Sequence, residues 1–133
     1  MLFRSFEEFE ADVFMGGPVS TDSIYFIHRR ADLIPGSIHV LDDIHWGGDF
    51  NEVKKLINLG IIHRGEVRFF LGYSGWDAGQ LEREIREDSW LVNDVHSRLV
   101  MEELGAEAWA QFVRKVGKRY SIWENFPENP SLN

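Results

Sequence analysis

The most informative segment for the fold of this 133-residue chain is Glu66-Val67-Arg68-Phe69-Phe70-Leu71-Gly72-Tyr73. Aromatic and branched residues fall on both of its faces, which is typical of a strand covered on both sides. Such a strand needs neighbouring strands for its backbone groups and further elements over its faces. Residues 66–73 are therefore predicted to form an interior strand of a sheet.

Further strands are predicted on either side of this stretch. Residues 23–28, 37–41 and 44–46 are short apolar runs bounded by turn residues, and Asp42-Asp43 is predicted to turn the chain between the last two. Residues 89–95 are predicted to form another strand after the central one.

The clearest helix lies between these strands and begins after Asp49. Asp49 can cap its N-terminus, and Glu52 three residues later completes a capping-box pattern. Gly60 suits the left-handed position just past the end of the helix. The chain therefore contains both strands and helices, which predicts a mixed α/β protein.

A second helix is predicted to follow the central strand. Asp77 is expected to cap it, with Gln80 at the third position after the cap. Two further helices are predicted over residues 98–104 and 106–118. Three to four helices are thus expected to flank the sheet in a single domain over residues 1–133.

The composition restricts the classes of function. Asp and Glu outnumber Lys and Arg by 22 to 14, so the net charge is −8, and nucleic acid is disfavoured as a partner. The chain has no cysteine, which excludes disulfides, thiolate metal sites and cysteine nucleophiles and favours the cytoplasm. The acidic start lacks the apolar run of a signal peptide, and no segment is apolar enough to span a membrane. One basic cluster is the exception to the acidic charge: Arg114, Lys115, Lys118 and Arg119.

Several segments together resemble the YqgE/AlgH family of bacterial proteins. They are Met15-Gly16-Gly17-Pro18-Val19, a strand ending at His28, the run Leu-Gly-Tyr-Ser-Gly-Trp at residues 71–76 with Gly-Gln-Leu-Glu-Arg-Glu-Ile at residues 79–85, and the closing Pro130-Ser131-Leu132-Asn133. The resemblance implies an α+β fold with a mixed, strongly bent, barrel-like sheet and flanking helices. It also implies that the chain corresponds to the C-terminal two thirds of the family domain, so that a sheet edge is exposed and invites pairing with a second copy.

Two glycine-rich segments form the candidate ligand or interaction site. Glycines allow close approach to a ligand, aromatic rings offer binding faces, and a glycine-rich turn before a helix can hold phosphate. The alternative is a purely structural strand-to-helix turn, because the carboxylate of Asp77 would repel an anion. The candidate residues are Gly16, Gly17, Pro18, Gly72, Tyr73, Ser74, Gly75, Trp76, Gly79 and Gln80.

No catalytic or metal site is predicted. Ser74 does not stand in the Gly-x-Ser-x-Gly pattern of hydrolases, and no spacing nominates a histidine as its base. The five histidines lack the spacing of a helical or strand metal site, although His39 and His45 could form a weak surface site with Asp42 and Asp43. No cofactor is expected.

The family resemblance implies no established catalytic activity, and the AlgH name reflects a role proposed in regulating gene expression. The leading hypothesis is therefore a non-enzymatic regulatory or protein-interaction module that self-associates and binds an unidentified protein. The alternative is a small-ligand or nucleotide-binding domain, and even an enzyme, that uses residues 72–80. In that alternative the two glycine-rich segments meet across one pocket.

Overall fold

The strand Val67–Tyr73 lies between two other strands of a mixed five-stranded sheet, as its apolar residues on both faces predict. The computed structural model describes residues 11–102 and 107–116. The strands are β1 (Val13–Met15), β2 (Val19–His28), β3 (Ile38–Leu41), β4 (Ile44–Trp46) and β5 (Val67–Tyr73). The helices are α1 (Phe50–Asn58), a 3₁₀ turn (Arg64–Glu66), α2 (Gln80–Arg86), α3 (Ser97–Met101) and α4 (Ala108–Val116). The predicted α+β class is confirmed.

The sheet is open rather than closed into a barrel. Its strand order is β1-β5-β2-β4-β3, with β1 parallel to β5 and the other neighbours antiparallel. Within the described residues β1 and β3 each pair with one strand only, so they are the two edges. The barrel-like closure implied by the family resemblance is thus not seen in this part of the chain.

The described residues divide into two compact units. The sheet unit comprises residues 11–75 and 96–101 and holds all five strands, α1, the 3₁₀ turn and α3. The helical unit comprises residues 76–95, 102 and 107–116 and holds α2 and α4. Among the described residues, no helix is both long and apolar enough to cross a bilayer.

Helix α1 forms a core with one face of the sheet. Phe26 of β2 and Phe69 of β5 are register partners, and their ring centroids are 6.0 Å apart. Phe50 of α1 lies 5.9 and 6.1 Å from these two rings. Burial of apolar side chains between the layers is the main stabilising contribution to this unit. The buried cluster consists of Phe26, Ile34, Val53, Leu56, Ile62, Val67 and Phe69.

The ends of α1 are largely those predicted. The carboxylate of Asp49 accepts a hydrogen bond from the Glu52 N–H at 3.1 Å, and Gly60 has the left-handed φ of +72°. The reciprocal half of the predicted capping box is missing because the Asp49 N–H donates to the Pro35 carbonyl at 3.0 Å. A tertiary contact therefore replaces the local one.

Two predictions after β5 are wrong. Asp77 does not cap the second helix, because α2 begins at Gln80 after Gly79, whose φ is +79°. The Asp77 N–H instead donates to the side-chain oxygen of Gln80 at 2.9 Å. Residues 89–95 form no strand. A strand requires a hydrogen-bonded neighbour, and alternation in the sequence cannot supply one.

The last two predicted helices are present as α3 and α4 over the residues that the structure describes. Residues 103, 104, 106, 117 and 118, which the predictions included, lie outside the described residues. So does the closing segment 130–133.

Candidate functional site

The two glycine-rich candidate segments meet within the sheet unit. The Gly16 N–H donates to the Leu71 carbonyl at 2.8 Å. A Cβ built on Gly16 would lie 2.2 Å from the Gly72 carbonyl oxygen, and one on Gly17 would lie 2.2 Å from the Tyr73 carbonyl carbon. No real Cβ approaches another atom so closely, so these glycines allow backbone to pack on backbone. We call this contact the glycine crossing.

Gly72 redirects the end of β5. Its φ is +70°, a left-handed value that favours glycine. Beyond it the Tyr73 ring contacts Tyr25, with centroids 5.5 Å apart, and Tyr25 stacks on Trp46 at 5.6 Å. The candidate tyrosine thus joins an aromatic row on the sheet. The candidate residues beside the crossing, Pro18, Ser74 and Gly75, are exposed.

The candidate residues Trp76, Gly79 and Gln80 lie in the helical unit, where Gly79 precedes α2 and the side chains of Trp76 and Gln80 donate to the carboxylate of Glu84. Glu84 Oε2 accepts hydrogen bonds from the indole N–H groups of Trp76 at 3.1 Å and Trp90 at 2.7 Å. Its other oxygen accepts from the Gln80 amide at 2.9 Å. The two indole rings make an edge-to-face contact with centroids 5.5 Å apart. We call Trp76, Gln80, Glu84 and Trp90 the tryptophan cluster.

The hydrogen bonds of this cluster lower the pKa of Glu84, with Trp90 contributing most, then Gln80 and then Trp76. Hydrogen bonds to the ionised form favour it, so Glu84 stays a carboxylate. The alternation of acidic and basic residues over positions 82–88 is typical of a solvated helix face and does not indicate this contact. The i, i+4 spacing of Gln80 and Glu84 was the one local signal of this contact, because the indoles come from outside the helix.

Three histidines form a row across neighbouring strands. His28 and His39 are both register partners of His45, and the ring centroids lie 6.0 and 5.2 Å from that of His45. His39 Nε2 is 2.8 Å from the Asp42 carbonyl and His45 Nδ1 is 3.2 Å from the Asp43 carbonyl. Within the described residues no three metal-binding side chains are arranged to hold an ion.

His28 is the buried member of the row, with 0% of its surface exposed. Its Nδ1 accepts from the Arg30 N–H at 3.0 Å, so Nε2 carries the proton and donates to the Gly47 carbonyl at 3.0 Å. Burial is the main cause that lowers the pKa of His28. A neutral ring with both nitrogens engaged has no free position for a metal ion or for proton transfer.

The edge strand β3 exposes two aliphatic side chains. Ile38 and Val40 are 64% and 58% exposed. The strand has the sequence Ile-His-Val-Leu and carries no acidic or basic residue other than His39. Its outward side has no partner strand in the part of the chain that the structure describes.

The basic cluster lies at the limit of the described chain. Arg114 is exposed on α4, whereas the side chains of Lys115, Lys118 and Arg119 fall outside the described residues. The structure therefore does not test this cluster.

Comparisons with known proteins match nearly the whole chain. A family model described as AlgH-like (DUF179) matches residues 1–121. A UPF0301 protein of Chlorobium limicola is 46% identical over 128 residues, which are 96% of this chain and 68% of that protein. A UPF0301 protein of Cytophaga hutchinsonii is 40% identical over 126 residues, which are 94% of this chain and 69% of that protein.

A solved structure shares the fold. The solution structure of the AlgH protein from Pseudomonas aeruginosa has a TM-score of 0.64 to this chain at 23% identity. The match covers 89% of this chain and 61% of the Pseudomonas chain, so the present sequence spans less than two thirds of that protein. At this identity the likeness shows the fold alone.

Proposed function

This chain belongs to the AlgH-like family, and on that premise we propose that it is a non-enzymatic regulatory interaction module of the bacterial cytoplasm that pairs with a second copy of itself through strand β3. The observation that carries the proposal is the exposed apolar edge formed by Ile38 and Val40. Edge strands present unpaired N–H and C=O groups, and most proteins protect long ones with charges or proline.

Strand β3 suits pairing with its own copy. A two-fold interface places the same strand on both sides, so a charged strand would repel itself. β3 has no lysine, arginine, aspartate or glutamate, and Ile38 and Val40 lie on one face by the alternation of a strand. Antiparallel pairing of two copies would therefore bring four exposed aliphatic side chains together.

The short length of β3 limits the strength of this association. β3 has four residues, and its pairing with β4 shifts register between His39 and Leu41. Small interfaces are characteristic of transient complexes. We expect a reversible dimer at about micromolar concentration rather than a permanent one.

Two observations favour an interaction module over an enzyme or a small-ligand domain. At the glycine crossing, backbone atoms occupy the space that a ligand would need beside Gly16, Gly17 and Gly72. The buried histidine, His28, has both nitrogens engaged and cannot serve as a base without losing a hydrogen bond.

Light scattering coupled to size exclusion tests the proposal. We expect the dimer fraction to rise with protein concentration and to be lost in Val40→Lys, because a lysine would place like charges opposite each other. Leu59→Lys is the matched control, since Leu59 is 62% exposed at the end of α1 and lies outside the edge strand. A monomer at every concentration, or equal loss in both variants, would contradict pairing through β3.

A further inference from the structure

Two exposed tryptophans of the helical unit are held in place by one carboxylate. Trp76 is 38% and Trp90 is 44% exposed, yet both indole N–H groups donate to the same oxygen of Glu84. The side-chain amide of Gln80 donates to the second oxygen of Glu84, and its own oxygen accepts from the Asp77 backbone N–H. The rings are therefore ordered before any partner arrives, so less side-chain freedom is lost on binding.

From this arrangement we propose that the tryptophan cluster is a docking surface for a lysine- and arginine-rich segment of another protein. Tryptophan is enriched among the residues that dominate binding energy at protein interfaces. The polar N–H edges of both rings are already satisfied within the cluster. What the rings can still offer a partner is their carbon surface and their π electrons.

The net charge of the segment that carries the cluster favours a cationic partner. Residues 76–95 contain six acidic and two basic residues, a net charge of −4. Lysine and arginine side chains are attracted both to such a surface and to the faces of indole rings. The same charge repels the phosphates of nucleic acid. A basic peptide segment therefore satisfies the aromatic and the electrostatic features together.

A titration of the full chain with a short oligo-arginine peptide tests the proposal. In the NMR spectrum we expect the indole N–H signals of Trp76 and Trp90 to shift on addition of the peptide, while that of Trp46 stays in place. Trp46 is the internal control because it is 39% exposed but belongs to the sheet unit. An oligo-glutamate peptide of equal length should shift none of the three signals.

Affinity measurements with a labelled oligo-arginine peptide supply the mutational test. Trp76→Ala and Trp90→Ala should each weaken binding roughly tenfold or more, whereas Trp46→Ala should leave it unchanged. Glu84→Gln keeps an acceptor for the indoles but removes a charge, so it should weaken binding and reduce its salt dependence. Circular dichroism identifies any variant that does not fold. If a variant is unfolded, its affinity is set aside and the NMR titration of the unaltered chain tests the proposal.

Three results would overturn the proposal. Equal binding by the Trp46, Trp76 and Trp90 variants would mean that the peptide is attracted only by the overall negative charge. Indole signals of Trp76 and Trp90 that shift with protein concentration in the absence of peptide would mean that a second copy of the chain covers the cluster. Binding of a mixed-sequence oligonucleotide with the same indole shifts would assign the surface to nucleic acid. Since none of these readouts requires β3, the result is independent of the dimer test.

Discussion

Gly17 and Gly72 lie so close that a Cβ built on Gly72 would stand 2.5 Å from the Gly17 carbonyl oxygen. The contact joins the turn before β2 to the end of β5, and it is made by backbone alone. A glycine-rich motif that resembles a ligand loop in the sequence thus has a packing role in the fold. The left-handed backbone of Gly72 also sets the direction of the chain at the end of β5, where the Tyr73 ring contacts Tyr25.

The first prediction concerns this contact. Gly72→Ala should lower the free energy of unfolding by at least about 2 kcal/mol, because a left-handed φ and a backbone clash are combined at one residue. Gly60→Ala is the control, since Gly60 has a similar φ of +72° and a Cβ added there would meet no atom within 4 Å. Gly60→Ala should lower the free energy of unfolding by only about 1 kcal/mol. Urea unfolding measures both, and equal losses would show that the clash is relieved by movement.

The second prediction concerns the buried histidine. The pKa of His28 is lowered from 6.5, mainly by burial and further by the nearby His45, while the hydrogen bond to Gly47 and the charge of Asp32 oppose the shift. The unfolded state therefore binds a proton at a higher pH than the folded state does. The contribution of neutral His28 to stability is complete above about pH 6.5 and is lost as the pH falls through the folded pKa.

Urea midpoints measured between about pH 8 and pH 5 test this prediction. The midpoint should fall on acidification because a protonated His28 can no longer accept from the Arg30 N–H. His28→Gln should remove the part of the slope that lies just below the ordinary histidine pKa, whereas His39→Gln should retain it. Identical pH profiles for the two variants would assign the slope to other groups.

The third prediction concerns the tryptophan cluster. Glu84→Ala removes the acceptor of both indole N–H groups, so the rings should become more mobile. Amide and indole hydrogen exchange should show faster exchange at the Trp76 and Trp90 N–H groups. Glu82→Ala, in the first turn of the same helix, is the control and should leave both rates unchanged. Unchanged exchange in Glu84→Ala would mean that the carboxylate does not hold the rings.

The fourth prediction compares two aspartates that look alike in the sequence. Asp49→Ala should destabilise the protein by about 1 kcal/mol, because its carboxylate caps α1. Asp77→Ala should have little effect, since its backbone rather than its carboxylate contacts Gln80. Thermal unfolding of the two variants checks the contrast. A comparable loss of stability in Asp77→Ala would show that the Asp77 carboxylate does cap α2.

Local patterns were sufficient for much of the sheet unit. The aromatic density of residues 66–73 predicted a strand between neighbours, and β5 occupies that position. The Asp49 cap and Gly60 at the end of α1 were predictable for the same reason, since caps depend on residues within one turn of each other. The family resemblance was carried by contiguous motifs, and the AlgH-like match confirms it.

The candidate site was only partly visible in the sequence. The pattern indicated one loop from Gly72 to Gln80, but the structure assigns its two ends to different contacts, the glycine crossing and the tryptophan cluster. Glu84 was missed because its partners Trp76 and Trp90 lie outside helix α2, where helical spacing predicts no contact. The predicted strand at residues 89–95 failed because a strand depends on a neighbour that local alternation does not specify.

Neighbouring residues and hydrophobic patterns were enough to predict the strands and helices of the sheet unit, the cap of α1 and the family. The contact of Gly17 with Gly72, the row of His28, His45 and His39, and the two indoles on one carboxylate became apparent only in the folded chain. Each of these contacts joins residues from different strands, helices or loops, so the spacing within one element does not predict it. They arise only when strand register and chain direction place the residues together.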